Sequence, residues 1–146
     1  MTFNVNFVSP CLVPGILTIS PPGGITASVD YLLDESVEYQ LPEFTVNYPI
    51  CGLTYSFSVT PSLGTDGISF NSDASQRLFT YDFSFDVNYI QTYTITATAL
   101  VTESASITED VSWDLVVLYP CSNSNYVTIS GSSPADQEYA LFTESE

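Results

Sequence analysis

With 146 residues, 45% of them apolar and 14% aromatic, the chain can close one hydrophobic core of ordinary size and lacks the composition of a disordered polypeptide. Seventeen acids face a single base, Arg77, for a formal charge of −16, which excludes nucleic acid and anionic membrane surfaces as partners because both are bound through Lys and Arg. No histidine and no lysine are present to activate a serine or threonine, so Ser–His–Asp and Ser–Lys chemistry is excluded within the chain.

The hydrophobic pattern has period two almost throughout, as strands with one dry and one wet face require. Phe3, Val5 and Phe7 alternate with Asn4 and Asn6 ahead of Pro10 and Cys11. Strands are predicted near 15–19 and 25–32, on either side of the turn chemistry of Pro21-Pro22-Gly23-Gly24. The best helical candidate, Asp30 to Glu38, is short and uncapped and reads as a turn or a bent edge strand. Phe44, Val46 and Tyr48 place a strand near 43–48, and Leu53, Tyr55, Phe57 and Val59 place another at 53–60. Two more are predicted near 67–70 and 77–85, with turns at 61–67 and 71–75. Gly64-Thr65-Asp66-Gly67 lacks the Gly-Lys-Ser/Thr ending of a phosphate loop and is read as a turn. Tyr93, Ile95, Ala97, Ala99 and Val101 alternate with threonines over 89–101. After a predicted loop at 102–110, Val111, Trp113, Leu115, Val117 and Tyr119 mark a last strand at 110–119.

Strands at this spacing without helical crossovers predict an all-β, two-sheet sandwich. Its expected core is Leu17, Ile19, Phe44, Val46, Tyr55, Phe57, Phe79, Tyr93, Ile95, Ala97, Trp113, Leu115 and Val117. No apolar run approaches the ~20 residues of a membrane span, so no membrane insertion is expected.

An internal repeat sets the organisation. Pro10-Cys11 and Pro120-Cys121 lie 110 residues apart, and at the same offset Thr18-Ile19-Ser20 matches Thr128-Ile129-Ser130. Phe3, Val5, Phe7 and Val8 likewise fall on Trp113, Leu115, Val117 and Leu118. The expectation is therefore a stretch of a longer tandem chain. Residues 1–10 are the last strand of a preceding repeat, 11–120 one complete repeat, and 121–146 the start of a following one. The alternative treats the terminal strands as extra edges of one larger sandwich.

"CGLTYSFSV" at 51–59, "ISFNSDASQRLFTYDF" at 68–83, "QTYTITATAL" at 91–100 and the strand-Pro-Cys junction together resemble the Ig-like, cadherin-like tandem repeats of large protist surface proteins of the ciliate type. The resemblance implies a Greek-key β-sandwich, an extracellular or cell-surface location, and a disulfide between Cys11 and Cys51. Such a bridge closes a loop of about 40 residues, worth roughly 4 kcal/mol in the chain-entropy model. Cys121, at the position of Cys11 in the next repeat, would then pair beyond residue 146. Three reduced, buried cysteines are the other reading of the same residues. Calcium at the junction is not implied, because the chain reads Ala97-Thr98-Ala99 where cadherin-type repeats carry Ala-Thr-Asp.

No cofactor, metal or enzymatic activity is expected. Asp82, Ser84 and Asp86 would share a strand face and Asp34 adjoins Glu35, but neither group offers the six to eight oxygens of a calcium site. Tyr31, Tyr39, Tyr48, Tyr81, Tyr89 and Tyr126 would form a glycan-stacking platform only if displayed together. Thr92, Thr94, Thr96 and Thr98 on an outward face are candidate O-glycan acceptors. The function expected is that of a stiff structural spacer in an extracellular filament or coat, with neighbouring copies or repeats as head-to-tail partners. An adhesion or glycan-binding module is the alternative.

Overall fold

The computed structural model describes residues 1–33, 35–63, 67–73, 75–84 and 86–122. Asp34, the Gly64 to Asp66 stretch of a predicted turn, Phe85, Tyr126, the Thr128-Ile129-Ser130 match and nearly all of the expected following repeat lie outside them.

Among the described residues nine strands form: β1 (Ile19–Ser20), β2 (Ser28–Leu32), β3 (Ser36–Gln40), β4 (Thr45–Val46), β5 (Leu53–Thr60), β6 (Gly67–Asn71), β7 (Leu78–Asp82), β8 (Thr92–Val101) and β9 (Ser104–Leu118). One sheet has the order β2-β9-β8-β5, the other β3-β7-β6, and β1 with β4 adds a two-stranded ladder. All pairs are antiparallel except β2 with β9, which run parallel over five residues from Ser28↔Asp114 to Leu32↔Leu118. The chain changes sheet between β2 and β3, before β5, after β5 and after β7, while β6–β7 and β8–β9 are hairpins. This is the Greek-key order of an Ig-like sandwich, with β2 at the edge of the four-stranded sheet and β1 in the separate ladder with β4. Pro42 has no N–H to give to a ladder and lies where the chain leaves β3 before β4 begins.

The β8–β9 hairpin is the backbone of the fold. Tyr93, Ile95, Ala97, Ala99 and Val101 of β8 are buried on one face while Thr92 and Thr94 stay exposed on the other. Tyr55 and Phe57 of β5 lie directly across from Ala99 and Ala97, so large rings stand beside small side chains as close cross-strand packing requires. The facing sheet contributes Phe79, Tyr81 and Phe83. Phe79 meets Trp113 edge-on at 5.1 Å between ring centroids and stacks on Phe70 at 4.3 Å. Two buried tyrosines supply the polar fastening: Tyr81 Oη accepts from Trp113 Nε1 at 3.1 Å, and Tyr31 Oη accepts the Phe83 N–H at 3.0 Å while donating to the Glu35 carbonyl. Arg77, the single base, donates from Nε to the Leu41 carbonyl and lies 5.9 Å over the Tyr55 ring, so its charge is engaged in the fold.

Several sequence expectations are corrected. Asp30 to Glu38 is neither one turn nor one bent strand: β2 ends at Leu32 and β3 begins at Ser36, with Val37 and Tyr39 turned inward between polar neighbours. The loop expected at 102–110 is a tight turn at Thr102 and Glu103, after which β9 pairs with β8 at Ser104, bulges, and resumes pairing from Thr108, so that the ladder to β8, rather than apolar alternation, holds its first half. Strands expected at 15–19, 43–48 and 77–85 shorten to two, two and five residues, and the strand expected at 89–101 starts at Thr92, after a 3-10 turn at Val87–Tyr89. Phe57 is 36% exposed, since β5 is an edge strand, and Ile19 and Val46 are only half-buried. Tyr31, Leu33, Leu41, Tyr81 and Phe83, absent from the expected core, are buried.

Candidate functional site

Opposite ends of the sandwich carry the two Pro-Cys sequences. β8 runs from one pole to the other, about 33 Å at the usual rise for its ten residues. The leading pole holds Cys11, the start of β5 and the β8–β9 turn, tied together by a hydrogen bond from Thr102 N–H to the Gly52 carbonyl at 2.9 Å. The trailing pole holds the ends of β2 and β9, joined by Leu33 N–H to the Leu118 carbonyl at 3.1 Å, together with the 87–89 turn.

At the leading pole Cys11 and Cys51 form a disulfide, with Cα atoms 5.5 Å apart across a sequence separation of 40. Both half-cystines are buried against Leu17 and Val101 in a second apolar cluster bordered by Ile19, Val46, Leu53 and Ile107. Pro10 opens a 3-10 turn over Pro10–Leu12, where its missing N–H costs nothing. Ser9 caps that turn: its Oγ accepts the Cys11 N–H at 3.3 Å and donates to Glu103 Oε2 at 3.1 Å, tying the junction to the hairpin turn. Asn47 adds a clamp that sequence reasoning missed, accepting from Thr18 N–H at 2.9 Å and donating to the Ile16 carbonyl at 2.8 Å. An asparagine closing an apolar alternation is a weak signal without the partner segment in view.

At the trailing pole Pro120–Ser122 forms another 3-10 turn, and Cys121 is an exposed free thiol. The two turns stand at the same 110-residue offset found in the sequence. Among the described residues, 1–9 have no strand pairing, and Phe3, Val5, Phe7 and Val8 are exposed.

The carboxylates serve local turns. Asp86 Oδ1 accepts from the Asn88 N–H and from Asn88 Nδ2 at 2.9 and 2.8 Å, capping the 87–89 turn. Asp73 accepts from the N–H and hydroxyl of Ser75, which hold its carboxyl below the usual range. Among the described residues no group of three His, Cys, Asp or Glu could hold a metal ion. An open depression of about 420 Å³ beside the disulfide is lined by Glu43, Phe44, Tyr55 and neighbours, Glu43 being the one carboxylate among its described lining residues.

The tyrosines are not displayed together. Tyr31 and Tyr81 are buried, Tyr39 and Tyr89 half-buried, and only Tyr48 of the described candidates is exposed, so the rings do not share a surface. Burial pushes the Tyr81 phenol well above its ordinary value, partly opposed by the Trp113 hydrogen bond, and raises Tyr39 in the same direction. Of the outward threonines, Thr94 donates to Asp114 Oδ1 at 2.9 Å and Thr96 shares a hydrogen bond with the Ser112 hydroxyl at 2.8 Å.

No family model and no curated protein matches the chain. Among solved structures it is similar to Drosophila N-cadherin EC1-3, at 8% identity and a TM-score of 0.47 over 64% of this chain and 32% of that one. It is also similar to titin Ig tandem domains, at 8% identity and a TM-score of 0.43 over 70% of this chain and 49% of that one. The match thus spans a third to a half of those chains. Strand order, not these likenesses, carries the assignment to an Ig-like sandwich.

Proposed function

We propose that this chain is a structural repeat of an extracellular filament or cell-surface coat, a non-enzymatic spacer linked head to tail with neighbouring repeats or copies of itself. One observation carries the reading. The Pro-Cys 3-10 turn occurs twice, at opposite poles of a single sandwich, and the first occurrence is preceded by an alternating apolar segment, Phe3 to Val8, that is exposed and pairs with no strand among the described residues. In the expected division, residues 1–10 complete a preceding unit, 11–120 form this one, and 121–146 begin another.

The surroundings favour the same reading. A buried disulfide fits an oxidising compartment. Among the described residues no helix is long and apolar enough to cross a membrane. One-sided negative charge opposes lateral clumping of such rods and protects their exposed strand edges. The likeness to ciliate-type surface repeats belongs to this proposal, as do O-glycans on the outward threonines.

Electron microscopy of the native particle tests it. A filament with one bead per ~110 residues, spaced about 40–50 Å from strand length plus loops, is the expected image. Isolated compact particles of one bead would overturn it.

A further inference from the structure

The poles themselves carry exposed apolar side chains that the sandwich does not use. Ile50 is 82% exposed at the leading pole, beside exposed Leu12 and Ile16. Val87 is 61% exposed at the trailing pole, beside exposed Ile90. Both sets sit on short turns braced from beneath: Ile50 immediately precedes the Cys51 half-cystine, and the 87–89 turn is capped by Asp86 and held to β9 through Val117 N–H donating to the Gln91 carbonyl at 3.0 Å.

Chain length decides what covers them. Between Leu118, the last residue of β9, and Cys121 there are two residues, and Val8 and Cys11 are separated in the same way. Three residue steps reach at most about 11 Å. If Cys121 begins a unit as Cys11 does, the trailing pole of one unit and the leading pole of the next must lie against each other. A pole that could not touch its neighbour would need a longer linker.

We infer that Ile50, Leu12 and Ile16 of each unit pack against Val87 and Ile90 of the unit before it, forming an apolar joint that fixes the angle between successive repeats. This rests on the tandem reading and adds the contact that would make a row of units stiff.

The test is the full chain with residues 11–120 inserted a second time after Pro120, which reproduces the Pro-Cys junction with known sequence. Thiol titration first shows whether the second copy forms its own disulfide. One reactive thiol, Cys121, is expected in the folded protein; failure of the second copy to fold overturns the tandem reading and the joint together. With both copies folded, the joint predicts a melting midpoint about 4 °C or more above that of the original chain. Ile50→Ser in the second copy and Val87→Ser in the first should each remove that gain, and the pair should remove no more than either alone. Neither substitution should move the midpoint of the original chain. Two folded copies melting as the original chain does, or substitutions acting equally in both proteins, overturn the joint and leave the tandem reading standing.

Discussion

Reducing the Cys11–Cys51 disulfide without changing any residue separates the effect of the cross-link from that of packing. The loop it closes spans 40 residues, and the chain-entropy relation then gives about 4 kcal/mol of stabilisation lost from a domain of ordinary total stability. Both sulfurs are buried among Leu17 and Val101, so the reduced thiols keep their contacts as small apolar groups. The double substitution Cys11→Ala with Cys51→Ala removes those contacts as well and should cost more than reduction alone. Trp113, the single tryptophan and 2% exposed, reports unfolding by its fluorescence. In urea, with a slope of about 2 kcal/mol/M, the reduced protein should unfold about 2 M earlier than the oxidised one. A loss under about 1 kcal/mol would refute the argument that the bridge acts mainly by restricting the unfolded chain.

Three further outcomes follow from the core. Tyr31→Phe strips the buried Phe83 N–H of its acceptor and should cost about 1–3 kcal/mol by chemical denaturation, against a few tenths for an exposed tyrosine. Gly67→Ala should cost more than about 1 kcal/mol, because Gly67 has φ +78° and an added Cβ would collide with the Phe83 ring; a midpoint unchanged by that substitution would contradict the packing described. The Tyr81 phenol is raised by burial, so it stabilises the fold fully below the unfolded tyrosine value of about 10 and loses that contribution as pH climbs toward its folded value. Stability followed by Trp113 fluorescence should therefore fall above pH ~10, and less steeply in Tyr81→Phe.

The parts of this fold that could be read from sequence are those where burial and strand periodicity coincide. β8 and the second half of β9 present apolar residues at every second position, mostly against threonine, serine or aspartate, and the sandwich and most of its core follow from them. β3 is not legible in the sequence because Ser36, Glu38 and Gln40 flank its two inward residues and a turn precedes it. The first half of β9 is a strand by hydrogen bonding to β8, a property of the partner and not of its own side chains. Phe57 looked like core by alternation, yet sequence does not say which strand is an edge. The tyrosines were the hardest. Tyr31 and Tyr81 turn inward because each hydroxyl finds a partner, Phe83 and Trp113, 52 and 32 residues away. At the junction, the repeated Pro-Cys was visible, whereas the brace from Ser9 to Glu103 spans 94 residues and needed the fold.

The parallel pairing of β2 with β9 has a mechanical meaning for any protein pulled along its length. The chain reaches β2 from the leading pole and leaves β9 at the trailing one, so tension drags these neighbours in opposite directions. Their rungs are then sheared together instead of opening one after another like a zipper. The sulfur bridge diverts part of that load into the foot of β5. A sandwich wired this way should yield late and abruptly under force, which is the behaviour a load-bearing thread requires of its links.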